Sequence, residues 1–156
     1  MDCMVRPLGI CELPALLALF AYGDIEDMLS ENKQKLAENA IDIFGLFYRE
    51  RLVGELRAAY VCEDRLFAVR GCRAYLYAFR VHGDFQGRGL GKYLLESVID
   101  ILIQRGYSEF TVGVEDANDR ARHIYKSFGF DERLARKYEE YQGCGYTYDL
   151  YLKHSV

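Results

Sequence analysis

The stretch Val81-His82-Gly83-Asp84-Phe85-Gln86-Gly87-Arg88-Gly89-Leu90-Gly91 limits what the rest of the chain can become. An apolar run of strand composition, Tyr75 to Val81, precedes it, and a long amphipathic segment follows. Between them Gly87, Gly89 and Gly91 alternate with Arg88 and Leu90, with Gln86 before and Lys92 after. Glycines at alternate positions let a ligand approach the main chain closely. The helix predicted after them presents unpaired N–H groups and a positive dipole end. A strand, a glycine turn and a helix N-terminus together suit an anion, most often a phosphate. Two common phosphate motifs are excluded by spacing. A P-loop needs Gly where Gln86 stands and Ser or Thr where Tyr93 stands. A dinucleotide fingerprint needs Gly at Lys92 or at Leu94. A glycine-rich left-handed turn before a helix, with no ligand, is the plain alternative.

The remaining chain must supply a core for this unit. At 156 residues, about half of them apolar, one domain spanning 1–156 is expected, with no disulfides needed. The net charge of −4 gives no basic excess for nucleic acid, and no apolar run approaches a membrane span. Met1-Asp2-Cys3-Met4 lacks the pattern of a signal peptide. The five cysteines are scattered and form no C-x-x-C, so reduced thiols and a cytoplasmic location are expected.

In chain order, Met4 to Leu8 reads as a short strand, and Leu13 to Tyr22 as a helix with Leu13, Leu16, Leu17 and Phe20 on one stripe. Ala21 to Leu29 is expected to be a loop with a helical turn. Ser30 to Asn39 is predicted as a polar helix capped by Ser30. Ile43 to Tyr48 and Leu52 to Val61 form a hairpin about Arg49-Glu50-Arg51, with Gly54 marking a bulge. Glu63 to Arg73 reads as a loop and Tyr75 to Val81 as a central strand covered on both faces. Leu90 to Leu102 repeats at helical spacing up to Gly106. Phe110 to Glu115 is the next strand, parallel to Tyr75–Val81 through a right-handed crossover. Asp119 to Phe128 is predicted as a helix with Ala121, Ile124, Tyr125 and Phe128 inward. Lys137 to Gln142 and Tyr146 to Lys153 are expected to pair about Gly143-Cys144-Gly145.

Two motifs carry a resemblance. Gln86-x-x-Gly89-x-Gly91 resembles the pyrophosphate loop of GNAT-type, acetyl-CoA-dependent N-acetyltransferases. Asn118-Asp119-Arg120-Ala121, Tyr125 and Gly129-Phe130 resemble that family's N-x-x-A-x-x-x-Y-x-x-x-G-F segment. Val5-Arg6-Pro7 looks like its opening strand, and the element order β-α-α-β-β-β-α-β-α-β-β covers essentially the whole chain. The resemblance implies an α/β fold: a mixed sheet of about seven strands flanked by about four helices, the acyl-CoA N-acyltransferase fold. It implies acetyl-CoA as cofactor and CoA as product, no metal, and transfer to a primary amine of a small molecule, peptide or protein by direct attack through a ternary complex. A homodimer is compatible with it; membrane and nucleic-acid partners are not expected.

Carried onto this sequence, the resemblance gives the pyrophosphate to backbone N–H groups of Gln86, Gly87, Arg88, Gly89, Leu90 and Gly91, with charge from Arg88 and Lys92. It gives the pantetheine arm to the backbone of Phe79, Arg80 and Val81, and a cofactor contact to Asn118, which could equally cap the following helix. Tyr125 becomes the candidate general acid, since a phenol of ordinary pKa near 10 is protonated at neutral pH. No base is obvious. Glu115 and Glu55 are the candidates, and His82 adjoins the loop. Cys62 and Cys144 have no neighbouring His to activate them as acyl carriers. Tyr22, Asp24, Glu26, Asp27, Tyr138, Glu139, Glu140 and Tyr141 lie where the family sets specificity, and their acidity suits a cationic amine. The competing readings are a non-catalytic acyl-CoA-binding sensor module and a subunit of a larger assembly.

Overall fold

The computed structural model describes residues 2–20 and 25–155. Seven strands and four helices follow in order: β1 (Cys3–Pro7), α1 (Leu13–Phe20), α2 (Ile25–Ala37), β2 (Ile41–Tyr48), β3 (Arg51–Ala59), β4 (Arg73–Val81), α3 (Leu90–Gln104), β5 (Glu109–Glu115), α4 (Asp119–Ser127), β6 (Glu132–Tyr141) and β7 (Cys144–His154). The strands make one sheet in the order β1-β2-β3-β4-β5-β7-β6. Every neighbouring pair is antiparallel except β4 with β5, which α3 connects. No helix among the described residues is long and apolar enough to cross a membrane.

Two apolar layers hold the sheet. On one face α3 sets Leu90, Leu94, Leu95, Val98 and Leu102 against Leu56, Leu76, Phe110, Val112 and Phe130. Their spacing of three and four residues is what places them on one side of the helix. On the other face Leu13 and Leu16 of α1 meet Ile41, Ile43 and Ala59, with Leu29 and Leu36 of α2 at the margin. Each leucine removed fully from water contributes roughly 1.5–3 kcal/mol.

Several boundaries differ from the sequence expectation, each for a local reason. Helix α2 begins at Ile25, so Ser30 lies inside it and caps nothing. Its inward stripe is Leu29, Asn32 and Leu36, and the buried polar Asn32 interrupts the apolar pattern. Strand β6 begins five residues before Lys137, because the register shifts between Arg133 and Ala135 and breaks the alternation. The β6–β7 turn is Gln142-Gly143, both at positive φ, so Cys144 already belongs to β7. Ile124 is 37 % exposed rather than inward. At Gly54 the expected bulge is present: Leu46 faces Gly54 while Phe47 faces Leu52. A Cβ at Gly54 would stand 2.9 Å from the Arg80 carbonyl oxygen, so the close approach of β4 requires glycine there.

The β2–β3 hairpin turns on two residues, Arg49 (φ 51°) and Glu50 (φ 67°), both left-handed. Such turns favour glycine or asparagine, and a side chain in this region costs about 1–2 kcal/mol. Glu50→Gly is therefore expected to raise the thermal midpoint by about 2–4 °C. A lowered midpoint in differential scanning calorimetry would show that the Glu50 side chain contributes more than its strain costs.

Candidate functional site

The site begins with a defect in β4. Opposite β3, Glu55 faces Arg80 and Arg57 faces Tyr77, so Ala78 and Phe79 together stand against Leu56. Two residues against one make a β-bulge, and Ala78 takes φ 53° to form it. Because side chains alternate along a strand, one extra residue exchanges the faces. Tyr75 and Tyr77 pack toward the α1–α2 layer, whereas Phe79 and Val81 pack toward α3. The parallel pairing of β4 with β5 runs from Arg73–Glu109 to Leu76–Val112 and ends there. Beyond it the two strands part. The second half of β4 is accordingly only half-buried, where a strand covered on both faces was expected.

A groove of about 840 Å³ occupies the split, lined by residues 75–81 of β4, the glycine loop, the end of β5 and the face of α4. Gly87 and Gly89 both have φ 78°, and a Cβ on either would meet nothing within 4 Å, so the loop presents bare backbone to open space. Gln86 holds the loop to its strand: its Nε2 donates to the Val81 carbonyl at 2.9 Å. Arg88 lies over the ring of Phe85 at 5.4 Å. Lys92 is mostly exposed, 4.0 Å from Glu96 one turn on. Phe79, Arg80, Val81, Gln86, Gly87, Gly89, Leu90, Gly91 and Asn118 all line the groove; Arg88 and Lys92 stand beside it.

Asn118 caps α4, its Oδ1 accepting from the Ala121 N–H at 3.0 Å, so capping and a place on the groove wall belong to one residue. Tyr125 projects from α4 between Phe79 (6.3 Å between ring centres) and Phe130 (5.6 Å, edge to face). Burial pushes its phenol up to about 12, so it stays protonated. Glu115 ends β5, exposed at the mouth of the split.

Glu55 does not reach the groove. It is wholly buried, with Oε1 accepting from Arg57 Nε at 2.7 Å and Oε2 from Arg80 Nε at 2.9 Å. Burial pushes its carboxyl upward and Arg57 opposes this. A proton acceptor needs access to the proton, and this carboxylate is enclosed, so the geometry makes it a brace for the bulged strand. His82 likewise has a local role, its Nδ1 accepting from the Asp84 N–H at 3.3 Å.

A second cavity, of about 770 Å³, lies on the α1–α2 side of the sheet. Tyr75, Tyr77, Gly113 and Glu115 line both cavities, so the two meet at the split. Gly113 is exposed in mid-strand, and a Cβ there would lie 3.3 Å from the Tyr148 ring and 3.6 Å from the Tyr75 hydroxyl. Of the eight residues expected to set specificity, only Glu139 is on the described wall of this cavity. Tyr22 and Asp24, and the Tyr141 side chain, lie outside the described residues. Gly113 and the tyrosines at 75, 77, 146 and 148 are given no site role by the sequence, since nothing in their neighbours marks them. Cys62 lines the second cavity with its thiol pushed up by burial, and Cys144 is exposed at the start of β7.

The model of the acetyltransferase (GNAT) family matches residues 13–130. The chain belongs to that family. Over 64 residues it is 42% identical to a [ribosomal protein bS18]-alanine N-acetyltransferase of Salmonella typhimurium, across 41% of this chain. That stretch spans 43% of the relative, less than half its length. Among solved structures, a ribosomal-protein-alanine N-acetyltransferase from Brucella melitensis superposes with a TM-score of 0.76 at 19% identity, over 97% of this chain and 99% of that one. An acetyltransferase from Salmonella typhimurium, solved with its cofactor acetyl-CoA, gives 0.71 at 15% identity over 99% and 94%. These likenesses establish the GNAT fold. The glycine loop, Asn118 and Tyr125 fall inside the family match, whereas Glu139, Tyr146 and Tyr148 lie beyond its last residue. One wall of the second cavity is thus set outside the matched part of the GNAT domain.

Proposed function

We propose that this chain transfers an acetyl group from acetyl-CoA to a primary amine of a small molecule or peptide, by direct attack with both bound together. One observation carries the reading: a groove with a bare-backbone glycine cradle, lined by Tyr125, opens through a split between parallel strands into a second cavity, with Glu115 on the walls of both. The residues fit the cofactor, because the open space over Gly87 and Gly89 is what a pyrophosphate needs and what a Cβ would fill. When bound, acetyl-CoA supplies an acyl group activated as a thioester.

Each step then falls to groups of the chain. N–H groups of the loop and the first turn of α3 hold the phosphates, with Arg88 and Lys92 adding charge. The edge of β4 that β5 has released, from Phe79 to Val81, offers main-chain N–H groups to the pantetheine arm and to the reacting carbonyl. Donors fixed in advance in a partly dry groove stabilise developing negative charge without reorganising. Glu115 accepts the proton of the incoming ammonium, directly or through water. The protonated Tyr125 donates to the departing sulfur. Cys62 plays no covalent part, since burial disfavours its thiolate.

Saturating CoA is expected to stabilise the protein by about 2.7 kcal/mol at a hundredfold excess over Kd, a rise of about 5–10 °C in midpoint. Gly89→Val puts a β-branched residue at φ 78° and a side chain into the cradle. That variant should keep its far-UV spectrum and lose the rise. With an amine library and acetyl-CoA, the wild type should release free thiol. An unshifted wild type, or a Gly89→Val protein that binds CoA normally, would overturn the reading. CoA binding without thiol release from any amine would favour the sensor module.

A further inference from the structure

The second cavity carries its own chemistry. Among the described residues five carboxylates line it, Glu38, Glu63, Asp64, Glu115 and Glu139, against one cation, Lys35. Two of these charges are already matched: Lys35 is paired with Glu31 at 2.8 Å and Asp64 with Lys137 at 2.7 Å. Glu139 is built differently from the others. Its Oε1 accepts from the Tyr148 hydroxyl at 2.6 Å and its Oε2 from the Tyr146 hydroxyl at 3.0 Å. Each bond uses one lone pair and leaves the oxygen able to accept again. The carboxylate is thus fixed in direction and exposed to the cavity, and no cation among the described residues pairs with it.

Aromatic faces complete the wall. Tyr75 and Tyr77 stack at 5.4 Å with 9° between their planes, and Tyr146 lies 5.9 Å from Tyr148. Ring faces attract cations through their quadrupole, most strongly where water is thinned. Both phenols on Glu139 are held neutral, Tyr146 by its hydrogen bond to that carboxylate and Tyr148 by burial together with the same contact. An apolar or anionic substrate would meet a poor match in such a cavity, and a single ammonium beside Glu115 would leave the Glu139 end unused.

Resting on the transfer reading above, we propose that the second cavity selects acceptor amines bearing a second positive charge. Glu139, braced by Tyr146 and Tyr148, holds that charge while the reacting amine lies beside Glu115. Two sources share this chemistry: a free polyamine, and an N-terminal amine followed by a basic side chain. Equilibrium binding to the CoA-loaded protein and thiol release with acetyl-CoA separate them. The probes are spermidine against octylamine, and alanyl-lysine amide against alanyl-norleucine amide.

The more highly charged member of at least one pair is expected to bind and turn over about tenfold better than its partner. Which pair responds identifies the source. Glu139→Gln should remove most of that preference through KM, with kcat changed by less than about twofold and the midpoint unchanged. Raised salt should weaken the multiply charged probe and spare the monoamine. Equal binding within both pairs, or a preference that survives Glu139→Gln, would overturn the proposal while leaving acetyl transfer intact. Selective, Glu139-dependent binding without thiol release from any probe would uphold the cavity's selectivity and overturn the transfer reading instead.

Discussion

Tyr125→Phe is expected to lower turnover by roughly 10²-fold or more while leaving CoA affinity unchanged, the usual scale for removing a general acid. The substitution deletes one hydroxyl and keeps the ring between Phe79 and Phe130. With the phenol held up to about 12, the acid is fully protonated at neutral pH and somewhat above it. The loss should therefore be of similar size across that range. If Tyr125 only filled space, the variant would melt lower and turn over normally per folded molecule. Equal kcat in the two proteins would remove Tyr125 from the chemistry.

Gly113→Val should be almost as damaging to turnover, and for a different reason. Gly113 is the point at which the two cavities meet without an intervening side chain. A Cβ there is already tight against the Tyr148 ring at 3.3 Å, and the two further methyls of valine would fill the passage beside the Tyr75 hydroxyl. Valine suits a central strand, so the sheet is expected to hold and the glycine loop to bind CoA as before. Calorimetric titration with CoA and thiol release with the preferred amine would then part company: normal affinity, turnover down by two orders of magnitude, on the scale seen when reacting groups are misplaced by about 1 Å. Turnover within threefold of wild type would mean that the amine reaches the split by another path.

The legible part of this protein was its local part. Helix α3 and the glycines before it can be read because spacing alone places Leu90, Leu94, Leu95 and Val98 on one face and puts glycines where positive φ is needed. What escaped reading depends on partners distant in sequence. Glu55 looked like a base because a carboxylate on a strand gives no hint that Arg80, 25 residues on, will enclose it, though Arg57 two residues away on the same strand face was a clue. Asn32 interrupts the inward stripe of α2, and its reason for being buried is Arg57, on a different element. Ala78 carries no sign that it will adopt a left-handed conformation; the bulge follows from how β3, β4 and Gly54 fit together. The second cavity draws residues from α2, the β3–β4 loop, β4, β5, β6 and β7, and no window of sequence contains it.

The short parallel seam has a mechanical meaning. Strands β1 to β4 form one antiparallel set, and β5, β7 and β6 form another, each stitched along its length. Four residue pairs join them within the sheet, all at one end. The protein is therefore a pair of leaves sharing a spine, with α3 as the strap across it. Whatever lies between the open edges touches one leaf through β4 and the other through β5 and α4. A single occupant of the split would thus bridge both leaves at once.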